Sequence, residues 1–115
     1  MNDWQDSTRE DYLSKGLAGR SGYGSKPALL IIDFSNGFTD PKSPLGGNFD
    51  QQLATTARLL TEFRRGRLPV VYTTVAYQPD YRDAGWFRKK VRSFWILVEG
   101  SELVEIDDRI APQEG

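Results

Sequence analysis

The sequence predicts an α/β fold on a parallel sheet, of which it carries an N-terminal βαβ portion. Three observations predict it. Ala28–Ile32 is an unbroken apolar, partly β-branched run, which suits a strand covered on both faces better than one half in water. Residues 50–65 repeat apolar side chains at helical spacing. "LPVVYTT", Leu68–Thr74, is a second run of the buried type. Strand, helix and strand in this order give a parallel pair with a right-handed crossover.

The elements follow in order. Residues 1–25 have no sustained periodicity and read as an N-terminal arm. Within it "DSTREDYLSKGLAG" can form a short helix, capped by Ser7 or Thr8 and ended by Gly16 or Gly19. The arm either packs on a neighbour or another part of the fold, or extends freely. Glycines and Pro27 in "GRSGYGSKP" mark a loop before the first strand. "SNGFTDPKSPLGGNFD" is a sixteen-residue connection, and structured loops of that length are often functional. The helix Asp50–Arg65 starts with Asn48 or Asp50 as cap and buries Leu53, Ala57, Leu60 and Phe63. Arg64 and Arg65 suit the negative end of its dipole, and Gly66 is placed to end it. "RRGR" is explained as a solvated helix end. After Thr74 the chain is irregular to about residue 95, then leads toward a further strand that the 115 residues do not contain. Two strands and one helix cannot cover both faces of a parallel sheet.

Composition narrows the chemistry. There are 38% hydrophobic and 12% aromatic residues, enough for a core. Fifteen basic and sixteen acidic residues leave a net charge of −1, which steers toward neither nucleic acid nor an anionic membrane. With no cysteine and no histidine, the chain holds no disulfide, no thiolate or imidazole metal ligand, no cysteine nucleophile and no Ser-His-Asp triad. No apolar run approaches the ~18 residues of a membrane span, and the acidic N-terminus is unlike a signal peptide. A cytoplasmic location is expected.

In open α/β sheets ligands bind beyond the carboxyl ends of the strands. Asp33 lies at the end of the first strand, and Thr73 and Thr74 at the end of the second. An acid there is a cap of the following turn, a general base or a metal ligand. Phe38 and Trp86, on the surrounding loops, are core plugs or pocket walls.

Residues 22–115, through "KPALLIIDFSNGFTDPKSPLG", "LPVVYTT", "AGWFRKK" and "EIDDRIAP", resemble the N-terminal half of the isochorismatase-like cysteine hydrolases. Within them, the branch of N-carbamoylsarcosine and maleamate amidohydrolases is the best fit. The resemblance implies a Rossmann-like three-layer sandwich around a mostly parallel sheet, with residues 26–115 as the N-terminal half of the domain. It also implies a triad of aspartate, lysine and cysteine. Asp33 matches the aspartate, Phe38 the aromatic wall of the pocket, and Trp86 falls in a covering loop. The lysine is expected shortly after Gly115 and the cysteine further on, so a missing or separate C-terminal segment must supply both.

The implied reaction is hydrolysis of a linear amide or ureido bond in a small molecule through a cysteine acyl-enzyme, with release of ammonia and no cofactor. Hydrolysis of isochorismate, an enol ether, fits this branch less well. Some family members hold a metal through an aspartate and histidines after the second strand. "VAYQPDYRD" has no histidine there, so no metal is expected, and Asp80 and Asp83 read as loop caps or surface charges. Expected partners are the substrate, a second chain carrying the C-terminal half, and further copies of the complete enzyme in a homo-oligomer. The alternative is a non-catalytic binding or regulatory subunit that docks on a homologous chain. "WFRKKVRSFW" mixes aromatics and cations as nucleic-acid binders do, but a helix or loop with charges in water explains it, and no nucleic-acid or membrane partner is expected.

Overall fold

A computed structural model describes residues 3–114. The first two residues of the expected arm and Gly115 lie outside the described residues. The elements are α1 (Asp3–Ser14), β1 (Leu29–Ile32), α2 (Asn36–Thr39), α3 (Asp50–Arg65), β2 (Val70–Thr73) and α4 (Phe87–Lys90). Three 3-10 turns follow, at Arg92–Ile96, Glu102–Val104 and Asp108–Ile110.

β1 and β2 form a parallel pair in the register Leu29↔Val70 to Ile32↔Thr73. The crossover is α3, whose bounds are those the periodicity predicts. Leu53 and Leu60, two turns apart on one face, are buried with Ile31 and Ile110. Leu29, Phe34, Ala57, Val70, Tyr72 and Ile106 pack around them. Each fully buried aliphatic side chain here contributes roughly 2 kcal/mol. Residues 104–107 return beside the end of β1: Ser35 and Ile106 form an antiparallel bridge, and the Asp107 amide donates to the Phe34 carbonyl at 2.9 Å. A second small cluster forms around buried Phe94, with Tyr77 and Tyr81 edge-on to its ring at 5.3 Å.

Burial of the strands differs from expectation. Ile31 faces α3 at 3% exposure, whereas Leu30, Ile32 and Val71 on the opposite face are 54%, 57% and 50% exposed. The period of a strand is two, so one covering helix buries one alternate set and leaves the other open.

Helix ends also differ. α1 begins before Ser7 and Thr8, which lie inside it rather than capping it. It ends as expected at Gly16, with φ 71° and the paired bonds Gly16 N–H to Leu13 O and Leu17 N–H to Tyr12 O. Residues 6–28 are exposed apart from half-buried Ala18. At the start of α3 neither expected residue holds the cap position, which falls to Phe49 with no side-chain cap bond; Asn48 instead accepts from the Asp50 amide at 3.1 Å. At its end Gly66 is the C-cap as expected, though right-handed at φ −78°, and Arg67 takes the left-handed position at φ 51°. Arg64 is no solvated end. Its guanidinium donates to the Ala111 carbonyl at 2.9 Å and to Tyr72 Oη at 3.3 Å.

The long connection after β1 is ordered by its own bonds. Ser43 N–H donates to Asp40 O, Gly46 N–H to Ser43 O and Gly47 N–H to Phe38 O, while Ser43 Oγ donates to Gly37 O at 2.6 Å. A Cβ on Gly46 would fall on the Asp40 carbonyl oxygen. The Gly46→Ala variant is therefore expected to lose about 2–3 kcal/mol, because backbone and not a flexible side chain must move. Urea denaturation of the two proteins checks this, and equal midpoints would contradict it.

Candidate active site at the strand ends

Asp33 follows β1 directly and sits in the left-handed region at φ 58°. Aspartate is one of the few side chains that tolerate that backbone. The adjacent strand holds this turn. Asp33 N–H donates to the Thr73 carbonyl at 3.2 Å and to Thr73 Oγ1 at 3.2 Å. Thr73 Oγ1 in turn donates to Asp33 Oδ1 at 3.0 Å. Thr74 is engaged elsewhere, its hydroxyl donating to the Val104 carbonyl at 2.6 Å.

Asp33 borders a recess of about 160 Å³ that is lined also by Ile32, Phe34, Phe38, Thr39 and Phe49. Asp33 and Phe38 thus share one cavity at the carboxyl end of the sheet. A larger recess, about 720 Å³, lies at the other end of β2 among Arg64, Arg67, Leu68, Val70 and Tyr72. Ligands of open α/β sheets bind at the carboxyl end, so the smaller recess is the candidate site. Trp86 is not among its lining residues. It stands at the start of α4, 79% exposed, with the Lys89 ammonium 3.8 Å from its ring centroid.

Phe49 was not singled out by sequence. It precedes α3 by one residue and falls on the cavity because the α2–α3 connection folds back across the end of β1. Thr39 and its partners were missed as well. Thr39 is buried, and its hydroxyl donates to Asp107 Oδ2 at 2.7 Å. Asp107, 5% exposed, receives Arg109 Nε on Oδ1 at 2.8 Å and Arg109 Nη2 on Oδ2 at 2.7 Å. Arg109 Nη1 also donates to Asp50 Oδ1 at 2.6 Å. The Arg109 fork, helped by Thr39 and the Arg109 amide against the cost of burial, lowers the Asp107 pKa from 3.8 to about 2. Those carboxylates, Asp107 before Asp50, raise the pKa of the guanidinium. The network ties the cavity wall to the start of α3 and to the Asp108–Ile110 turn. The signal for it was "DDRIAP", but its partners lie 68 and 59 residues away in sequence.

Asp83 accepts from the Gln78 amide at 3.1 Å and Asp80 from the Arg82 amide at 3.2 Å, so both carboxylates cap their own loop. Among the described residues no group of three or more His, Cys, Asp or Glu side chains is placed to hold a metal ion. No helix among them is long and apolar enough to cross a membrane.

A parallel pair with an acid at its carboxyl end and an aromatic recess beside that acid defines an open α/β protein with its site at the strand ends. Comparison with known proteins supplies the lineage. Residues 27–115 match the Isochorismatase domain model, and the chain belongs to the isochorismatase family. Over 118 aligned positions it is 38% identical to a maleamate amidohydrolase of Pseudomonas putida (strain KT2440), covering 100% of this chain and 54% of that protein. Over 111 positions it is 32% identical to an N-carbamoylsarcosine amidase of an Arthrobacter species, covering 90% of this chain and 41% of that one. The chain spans about half the length of these curated relatives. A crystal structure of a cysteine hydrolase from Pseudomonas syringae pv. phaseolicola 1448A superposes with a TM-score of 0.66 at 22% identity, over 78% of this chain and 48% of that one. The fold is accordingly the isochorismatase-like α/β fold, in an N-terminal portion.

Proposed function

We propose that this chain forms the N-terminal half of a cysteine-dependent amidohydrolase and supplies its general base, Asp33. The observation that carries the proposal is Asp33 at the carboxyl end of β1, its carboxylate held by Thr73 and the residue itself lining a cavity with Phe38. The similarity to a maleamate amidohydrolase and an N-carbamoylsarcosine amidase supports small linear amides or ureides as substrates. A C-terminal segment brings a lysine and a cysteine. Its packing surface is the open face of Leu30, Ile32 and Val71, since parallel strands are stable with both faces covered.

Asp33 accepts the thiol proton, and the lysine keeps Asp33 ionised. The thiolate adds to the carbonyl carbon, and backbone N–H groups near the cysteine stabilise the oxyanion. When the C–N bond breaks, Asp33 returns the proton and ammonia leaves. Asp33 then takes a proton from water, whose oxygen attacks the thioester, and the proton returns to the departing thiolate.

Native and denaturing mass spectrometry of the protein from its source, with ammonia release from maleamate and N-carbamoylsarcosine, tests the proposal. The active form is expected to hold residues beyond this cysteine-free 13.0 kDa chain and to lose activity on alkylation with iodoacetamide. Ammonia release that survives alkylation would sink it.

A further inference from the structure

We infer that Thr73 is the positioning residue for the Asp33 base: its hydroxyl fixes the carboxylate through Oδ1 and leaves Oδ2 as the oxygen that moves the proton. This rests on the amidohydrolase chemistry proposed above.

The register sets up the pair. Ile32 is opposite Thr73, so the last side chain of β2 stands beside the first residue after β1. The threonine hydroxyl has one proton and two lone pairs. The proton goes to Asp33 Oδ1 at 3.0 Å, and a lone pair takes the Asp33 amide proton at 3.2 Å. That amide proton is shared with the Thr73 carbonyl, also at 3.2 Å. Holding the left-handed turn requires only that the amide be satisfied, and the carbonyl already does this. The bond from the hydroxyl to the carboxylate is additional, and what it fixes is the direction of the side chain. Asp33 is only half-buried, and an unrestrained carboxylate there would sample rotamers turned away from the cavity. Oδ2 has no hydrogen bond among the described residues and is free to exchange a proton with a thiol or a water.

Variants of the ammonia-releasing form, assayed with maleamate and N-carbamoylsarcosine, test the inference. Thr73→Val is nearly isosteric and keeps the β-branched shape that suits the strand. It is expected to lower kcat about tenfold to a hundredfold, as small misplacements of a reacting group do, with KM within about twofold. Thr73→Ser, which retains both hydroxyl bonds, is expected to restore kcat to within about threefold of the parent. In an Asp33→Asn background, Thr73→Val is expected to add no further loss, because the two groups act as one unit. A Thr73→Val enzyme with parental kcat, whatever its melting temperature, overturns the inference. So does a loss that Thr73→Ser fails to restore. An Asp33→Asn enzyme with parental kcat instead refutes the assignment of Asp33 as base, so the two failures are distinguishable.

Discussion

Asp33→Asn is expected to lower kcat for ammonia release by about 10²–10⁴-fold, the range that a positioned general base supplies, with KM within about twofold. The substitution separates chemistry from structure. Asparagine tolerates the left-handed backbone as aspartate does, so the turn at φ 58° keeps its shape. The amide oxygen can take the place of Oδ1 and accept from the Thr73 hydroxyl, and the backbone bond to Thr73 O is untouched. What is lost is the basic oxygen that takes a thiol or water proton. Asp33→Ala is the weaker experiment, because it places alanine at positive φ and adds a strain of roughly 1–2 kcal/mol. Steady-state kinetics beside a urea melt reads both quantities. Parental kcat in an Asp33→Asn protein of parental stability would make Asp33 a turn residue only, the other role its position at the strand end allows.

The parts legible in the sequence are those governed by short-range periodicity. Ala28–Ile32 and Leu68–Thr74 contain the observed strands, and Leu53 and Leu60 mark the buried face of α3, because burial against one neighbour leaves a local pattern. Asp33 was found by its place after an apolar run. The open face of Leu30, Ile32 and Val71 was not visible in β1 itself, since a run apolar throughout does not say which face its own chain covers. Gly66 caps α3 as its place after Arg65 suggests, but the left-handed backbone that glycine suits falls one residue later, on Arg67. Phe49 and Thr39 were missed for another reason. Phe49 reaches the cavity at the end of the α2–α3 connection, in which Gly46 lies against Asp40, and Thr39 is held there by a partner 68 residues along the chain. Nothing local encodes such a contact.

That partner is where the largest loss of stability is expected. Asp107→Ala should cost about 3 kcal/mol, the lower end for breaking a buried ion pair. It is the lower end because Arg109 is 48% exposed and keeps Asp50, so its charge is not stranded in the core. The Thr39 hydroxyl, by contrast, is buried and loses its 2.7 Å acceptor, retaining only the Ser35 carbonyl at 3.2 Å. The pH dependence identifies the charge as the source. Folding lowers the Asp107 pKa from 3.8 to about 2, so its ionised form is favoured in the folded state. The stabilisation is complete above the unfolded value and is lost as pH falls through the folded one. About 2 kcal/mol of the difference between parent and variant should therefore be present at pH 6 and vanish between pH ~4 and pH ~2. Urea titrations of both proteins across that range test it. A constant difference down to pH 2 would assign the loss to packing rather than to the carboxylate. Because Thr39 lines the same recess as Asp33, the variant should also loosen the cavity wall. With Asp33 still held by Thr73, that loosening falls on substrate binding, so KM is expected to rise more than kcat falls.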